Sequence, residues 1–190
     1  MKITKTKLDD IVLLEPKVFD DDRGYFVETF RQDKFDEAIG YKVNFIQDNE
    51  LKSSFGVLRG LHYQLPPFAQ SKLVRVIKGS VIDVAVDMRK GSPTFGEHNA
   101  VELSGENKRQ LFVPRGFAHG FVVTSETAIF AYKVDNYYAP EYARGVAYND
   151  PVIDISWCVD LDKLLLSEKD KMQPSLVEAN LFDYKDNLYE

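Results

Sequence analysis

Residues Lys72–Arg89 read KLVRVIKGSVIDVAVDMR. Two apolar, β-branched segments, KLVRVIK and SVIDVAVDMR, flank a glycine, and each is the length of a strand rather than a helix. The pattern continues on both sides. VLRGLHYQ precedes the run, and HNAVELSG, RQLFVPRG, AHGFVVTS and TAIFAYKVDNYY follow it. These segments recur at roughly ten-residue intervals with turn residues between them, the signature of an antiparallel sandwich or barrel. SVIDVAVDMR and GFVVTSETAIFAYKV read as inner strands. Upstream, short strands are expected around residues 11–19 and 25–30, and VNFIQDN (43–49) alternates as another. RQDKFDEAIG (31–40) is the first helical pattern, with Phe35, Ala38 and Ile39 on one side and Gly40 as its stop. Ser53–Gly56 reads as a loop. Downstream, 139–156 loops out and DLDKLLLSEKDK is a short helix or turn closed by Pro174.

The chain of 190 residues is 44% hydrophobic and 28% charged, which suits one domain with a sizeable core. No repeat, low-complexity tract or linker divides it. The expected organisation is N-terminal strands and a short helix over 1–50, a barrel core over 51–138, and a C-terminal loop with helices over 139–190. The net charge of −6 argues against a nucleic-acid partner, so an anionic ligand must be gripped by a few placed cations. The single cysteine, Cys158, rules out an intramolecular disulfide and fits a reducing, cytoplasmic compartment. No 18-residue apolar segment or signal peptide is present, so no membrane association is expected.

The residues with chemistry cluster in RGLHYQLPPFAQSKLVRV, 59–76. If 59–64 is extended, His62 shares a face with Gly60 and Gln64. A lone histidine is more often structural, but Lys72 sharpens the case: it begins an inward row with Val74 and Val76, an unusual place for an ammonium. Its alternative reading is a strand-end lysine reaching for water. Arg23, Arg59, Arg75 and Arg115 are candidates for phosphate contacts, because the guanidinium fork matches phosphate bidentately. Arg23 and Arg59 stand out because a glycine follows each and permits close approach. Tyr132, Tyr137 and Tyr138 lie just past or within the strand FAYKV, and most such tyrosines are packing residues. Asp170, in SEKD, reads on its own as an ordinary helix-end residue.

His119 sits in PRGFAHGF (114–121), and the Pro-x-Gly-x-x-His spacing resembles the second motif of the cupin barrels. A metal cupin also wants His-x-His and a glutamate on earlier strands. Here the corresponding run is His62-Tyr63-Gln64, and Lys72 would put an ammonium where a cation must sit. Two imidazoles fall short of the three or four protein ligands zinc or iron requires, so no catalytic metal is expected. No GxGxxG nicotinamide loop is found, and no cofactor is expected.

Taken together, DDRGYFVETF, Gln47-Asp48-Asn49, GVLRGLHYQLPPFAQSKLVRV, DVAVDMRKGSPTFG, VPRGFAHGF, YKVDNYYAPEYARGVAYNDP and LSEKD resemble, in order and spacing over nearly the whole chain, the dTDP-4-dehydrorhamnose 3,5-epimerases. The resemblance implies a mainly β fold, an antiparallel double-stranded β-helix (a cupin or jelly-roll sandwich) with a few short helices. It implies a homodimer with N-terminal strand exchange and a dTDP-sugar substrate inverted at C3 and C5. It casts His62 as base, Asp170 as its dyad partner, Tyr132 as the acid on the opposite ring face and Lys72 at the C4 oxygen. It casts Arg23, Glu28, Gln47, Asn49, Arg59, His119 and Tyr138 as nucleotide-binding, with Arg23 and Glu28 lent by the neighbouring subunit. Family members often carry Ser or Thr near Leu51 and Trp at Tyr148, which bears on substrate detail. Three alternatives remain: a C3-only or C5-only epimerase on another 4-keto nucleotide sugar, a sugar-nucleotide-binding cupin without turnover, and a metal-dependent cupin.

Overall fold

The computed structural model describes residues 2–189. In chain order the strands are β1 (Lys2–Lys5), β2 (Val12–Glu15), β3 (Val18–Asp21) and β4 (Gly24–Val27), followed by helix α1 (Gln32–Ile39). Then come β5 (Gln47–Ser54), β6 (Leu58–Gln64), β7 (Lys72–Lys78), β8 (Ser80–Asp87), β9 (Arg89–Lys90) and β10 (His98–Ser104). The last are β11 (Gln110–Val113), β12 (Phe117–Val123), β13 (Thr127–Val134), β14 (Ala143–Gly145), the one-turn helix α2 (Glu168–Lys171) and β15 (Phe182–Asp183).

Two antiparallel sheets form a jelly-roll sandwich. The larger runs β1-β2-β11-β7-β13-β5 and the smaller β10-β8-β12-β6-β14. Period two assigns the faces. Val74 and Val76 from β7, and Ala128 and Phe130 from β13, meet Val81 and Ala85 from β8 and Phe121 and Val123 from β12 between the sheets. Phe121 and Phe130 stack at 4.2 Å, each at most 3% exposed. Burying such a ring contributes about 1.5–3 kcal/mol, and the pairing about 0.5–1.5 more. The outer face of the smaller sheet is also apolar (Leu58, Leu61, Val84, Val86, Val122), and the C-terminal segment covers it with Ile153, Trp157, Leu176 and Phe182. β12 is therefore buried along its whole length.

The expected helix over 31–40 is α1. Its buried Phe35 packs against Phe30, Phe45 and Phe112 on the outside of the larger sheet. Gly40 ends it at φ 83° and donates its amide to Asp36. The strand expected over 43–49 begins only at Gln47, because Val43 turns into the α1 cluster instead of extending the ladder. The expected loop at 53–56 shrinks to a turn after Ser54, since Ser53 and Ser54 still pair with Ala128 and Thr127.

One irregularity decides the site. Between β12 and β6, Phe121 pairs with Arg59 but His119 pairs with His62, so β6 carries one residue more than its partner over the same span. The extra residue is a bulge. It breaks the alternation that would set Arg59 and His62 on opposite faces: Leu58, Leu61 and Tyr63 belong to the outer cluster, while Arg59 and His62 both line the cavity between the sheets. Gly60 makes this possible. Its φ is +123°, and a Cβ there would lie 2.6 Å from Gly120 Cα.

Candidate active site

At one end of the sandwich the apolar interior gives way to a cavity of about 520 Å³. Its walls carry Arg59 and His62 from β6, Lys72 from β7, His119 and Phe121 from β12, Phe130 and Tyr132 from β13, Leu51 from β5, and Leu165–Ser167, Lys169 and Asp170 from the C-terminal segment. His62 and His119 come from the smaller sheet, Lys72 and Tyr132 from the larger. A molecule between the sheets therefore meets an imidazole on one side and a phenol on the other.

His62 Nε2 lies 2.5 Å from Asp170 Oδ1. Asp170 is held in turn by its own helix end. Ser167 caps α2, accepting the Asp170 amide at 3.2 Å and donating its hydroxyl to Asp170 Oδ2 at 2.8 Å. Burial works against ionising Asp170, but the hydrogen bonds from His62 and Ser167 outweigh it and hold its pKa below the usual value. In the neutral imidazole an ionised Asp170 accepts from Nε2–H, and the other ring nitrogen then keeps its lone pair.

Lys72 follows the face expected for it, in line with buried Val74 and Val76. Its Nζ donates to the His62 carbonyl at 3.3 Å. Burial pulls its pKa down from 10.5 to about 8, with the Asp83 carboxylate opposing the fall. Asp83 is fully buried and both its oxygens lie 3.0 Å from His119 Nε2. Burial lowers the pKa of His119 as well, again opposed by Asp83. Burial raises the pKa of Tyr132, opposed by Arg59, so the phenol keeps its proton at neutral pH.

The chain matches the family profile described as dTDP-4-dehydrorhamnose 3,5-epimerase over residues 5–178. It is 54% identical over 182 residues to the dTDP-4-dehydrorhamnose 3,5-epimerase of Shigella flexneri, covering 96% of this chain and 99% of that one. The chain belongs to the dTDP-4-dehydrorhamnose 3,5-epimerase family. Two solved structures of the family superpose closely. The enzyme from Elizabethkingia anophelis NUHP1 gives a TM-score of 0.89 at 52% identity, covering 92% of this chain and 96% of that one. The dTDP-6-deoxy-D-glucose-3,5-epimerase of Legionella pneumophila Philadelphia 1, solved with dTDP-4-keto-L-rhamnose, gives 0.94 at 46%, covering 97% and 99%.

In this member of the dTDP-4-dehydrorhamnose 3,5-epimerase family, the predicted residues fall into four groups. His62, Lys72, Tyr132, Asp170, Arg59 and His119 share the one cavity. Arg59, at its rim, donates Nε to Ser53 Oγ at 3.2 Å, while His119 lies on the floor, 7% exposed and bound to Asp83. Gln47 and Asn49 lie along edge strand β5, joined by a 2.9 Å hydrogen bond, with Asn49 paired to Tyr132 across the ladder. Tyr138 is 60% exposed on the loop after β13. Arg23 and Glu28 stand apart on the exposed β3–β4 hairpin, where Arg23 ion-pairs with Asp21. Among the described residues that hairpin pairs with no other strand.

Of the other arginines, Arg115 is bound to Asp135 at 3.0 Å rather than facing the cavity. Arg75 lines a separate groove on the outside of the larger sheet. Two participants escaped the sequence reading. Asp83 left a signal, an acid inside the apolar run SVIDVAV. Ser167 left another, since Ser-x-x-Asp is an N-cap pattern. Among the described residues no three His, Cys, Asp or Glu side chains cluster as ligands for a metal ion.

Proposed function

We propose that this chain inverts C3 and C5 of dTDP-4-dehydro-6-deoxy-D-glucose to give dTDP-4-dehydro-L-rhamnose. The observation that carries the reading is the opposition of His62 and Tyr132 across one cavity, with Lys72, on the strand beside that of Tyr132, reaching the His62 carbonyl. An α-proton beside a ketone is a far weaker acid than imidazolium, and each pKa unit of the gap costs about 1.4 kcal/mol. Lys72 at the C4 oxygen stabilises the enolate as charge develops, usually the largest catalytic term. The free nitrogen of His62 takes the carbon-bound proton while Asp170 stabilises the imidazolium that forms. Tyr132 then donates its phenolic proton to the opposite face. Solvent resets both groups, so each cycle brings solvent hydrogen onto the sugar. Electrons balance without a redox partner, and the protons pass between sugar and solvent through His62 and Tyr132.

In this reading Arg59 at the rim holds the pyrophosphate, and Gln47, Asn49 and Tyr138 contact the rest of the nucleotide. The relative solved with dTDP-4-keto-L-rhamnose supports a nucleotide-sugar ligand. Arg23 and Glu28 do not line the cavity that holds His62 in their own subunit. Their hairpin exposes Phe19, Tyr25 and Phe26 at 51%, 57% and 68%, which suits exchange onto a second copy in a homodimer. Among the described residues no helix is long and apolar enough to cross a membrane, and a cytoplasmic site of action fits a nucleotide-sugar substrate. His62→Ala is expected to abolish deuterium uptake from heavy water at C3 and C5, read by NMR and mass spectrometry. Full exchange in that variant would remove His62 from the reaction. Uptake at one carbon alone in the native protein would make it a mono-epimerase, and saturable dTDP binding without uptake would make it a binding protein.

A further inference from the structure

Lys72 is the first residue of β7, and the residue before it is unusually well tied. Ser71 is fully buried. Its amide donates to Asp135 Oδ1 at 2.6 Å, and its hydroxyl meets the Tyr189 hydroxyl at 2.8 Å. The same Tyr189 oxygen accepts the Arg115 amide at 3.2 Å. Arg115 closes the circuit, donating Nε to Asp135 Oδ2 at 3.0 Å and Nη1 to the Leu188 carbonyl at 2.6 Å, with its guanidinium 5.0 Å from the Tyr189 ring. The Tyr41 ring meets that of Tyr189 edge-on at 5.2 Å. Further up the tail, β15 pairs in parallel with β9, which fixes the segment to the body of the fold.

We propose that the C-terminal segment Phe182–Tyr189 is a positioning strap that sets where Lys72 projects into the catalytic cavity. The inference rests on the proposed role of Lys72 at the C4 oxygen. A lysine side chain has many rotamers to choose from, and among the described residues the Lys72 ammonium makes one long hydrogen bond, to the His62 carbonyl at 3.3 Å. Its reach is therefore governed by where its backbone starts. Ser71 sets that start, and it is held from two sides: by Asp135, at the end of the neighbouring β13, and by Tyr189, from the far end of the chain. A shift of about 1 Å at a catalytic group costs on the order of a hundredfold in rate, so a fraction of that shift is measurable. Tyr189 touches no reacting atom and acts through Ser71.

The test is Tyr189→Phe, which keeps the ring against Tyr41 and Arg115 but removes the hydroxyl, with Ser71→Ala and the double variant. Steady-state deuterium uptake should show kcat lowered about five- to twentyfold with KM changed less than about twofold. The double variant should match Tyr189→Phe alone, because the Ser71–Tyr189 bond that Ser71→Ala breaks is already lost there. Amide exchange at residues 71–73 should quicken about tenfold while the β8 amides keep their protection. Native kcat in Tyr189→Phe, or losses that multiply in the double variant, overturns the strap, and so does unchanged protection at residues 71–73. Should the native protein show no uptake at C3 or C5, the functional reading fails, and the amide exchange still decides whether Tyr189 anchors Ser71.

Discussion

Replacing Lys72 with methionine should stabilise the protein while disabling it. Methionine keeps the length and apolar stem of the side chain and removes the charge. Burial has pulled the lysine pKa from 10.5 to about 8, and at about 1.4 kcal/mol per pKa unit that represents roughly 3 kcal/mol of instability in holding the ammonium charged. The cavity opens to water, which lowers the figure to about 2. Against this stands the lost hydrogen bond to the His62 carbonyl, about 1 kcal/mol. Lys72→Met should therefore be more stable by about 1–2 kcal/mol near pH 7 in urea unfolding. The sign with pH is fixed by the direction of the shift. Below about pH 8 the folded and unfolded lysines are both charged and the penalty in the native protein is complete. Between about 8 and 10.5 the folded lysine is neutral while the unfolded one still binds a proton, so native stability rises and the variant's advantage disappears. Deuterium uptake at C3 and C5 should fall by about 10²–10³, the cost of losing one oxyanion donor. Uptake within tenfold of native, or a variant destabilised at pH 7, would refute the reasoning.

Four further outcomes follow from the same geometry. Asp170→Asn removes the charge behind His62, worth about 1.5–3 kcal/mol and so at least tenfold in kcat, and up to about 10⁴-fold if the amide imposes the wrong tautomer; steady-state uptake measures it. Tyr132→Phe should let His62 still exchange protons on its own side while net inversion, followed by product NMR, falls by about 10²-fold or more. In the native protein activity should decline as pH rises past about 8 and Lys72 loses its proton; Asp83→Asn, which removes the charge supporting that proton, should move the decline to lower pH in a pH–rate profile. Gly60→Ala forces a Cβ to 2.6 Å from Gly120 Cα at φ +123°, and should cost roughly 2–4 kcal/mol in urea unfolding along with most activity.

The sandwich was legible because strand period and turn spacing are local properties. The inward row of Lys72, Val74 and Val76 was legible for the same reason, since no irregularity interrupts β7 between them. Alternation failed at His62. Strict alternation sets Arg59 and His62 on opposite faces, whereas the bulge opposite His119 and Phe121 turns both onto the cavity face. A bulge depends on how two strands meet, and Gly60 alone could equally mark a turn or a close backbone contact. Asp83 was visible as an acid in an apolar strand, but its partner His119 lies 36 residues away and became known only once β8 and β12 were paired.

By itself, the sequence determined the class of fold, the strand that carries Lys72, the helix ended by Gly40 and, through the order and spacing of its motifs, the family. These follow from local periodicity, turn chemistry and residue identity. The tertiary structure decided which groups meet. It brought Asp170 to within 2.5 Å of His62 across 108 residues of chain, set His62 and Tyr132 on facing sheets, and tied Tyr189 to the residue before Lys72. Such distances follow from the packing of the two sheets and the docking of the C-terminal segment on them, and no local pattern encodes them.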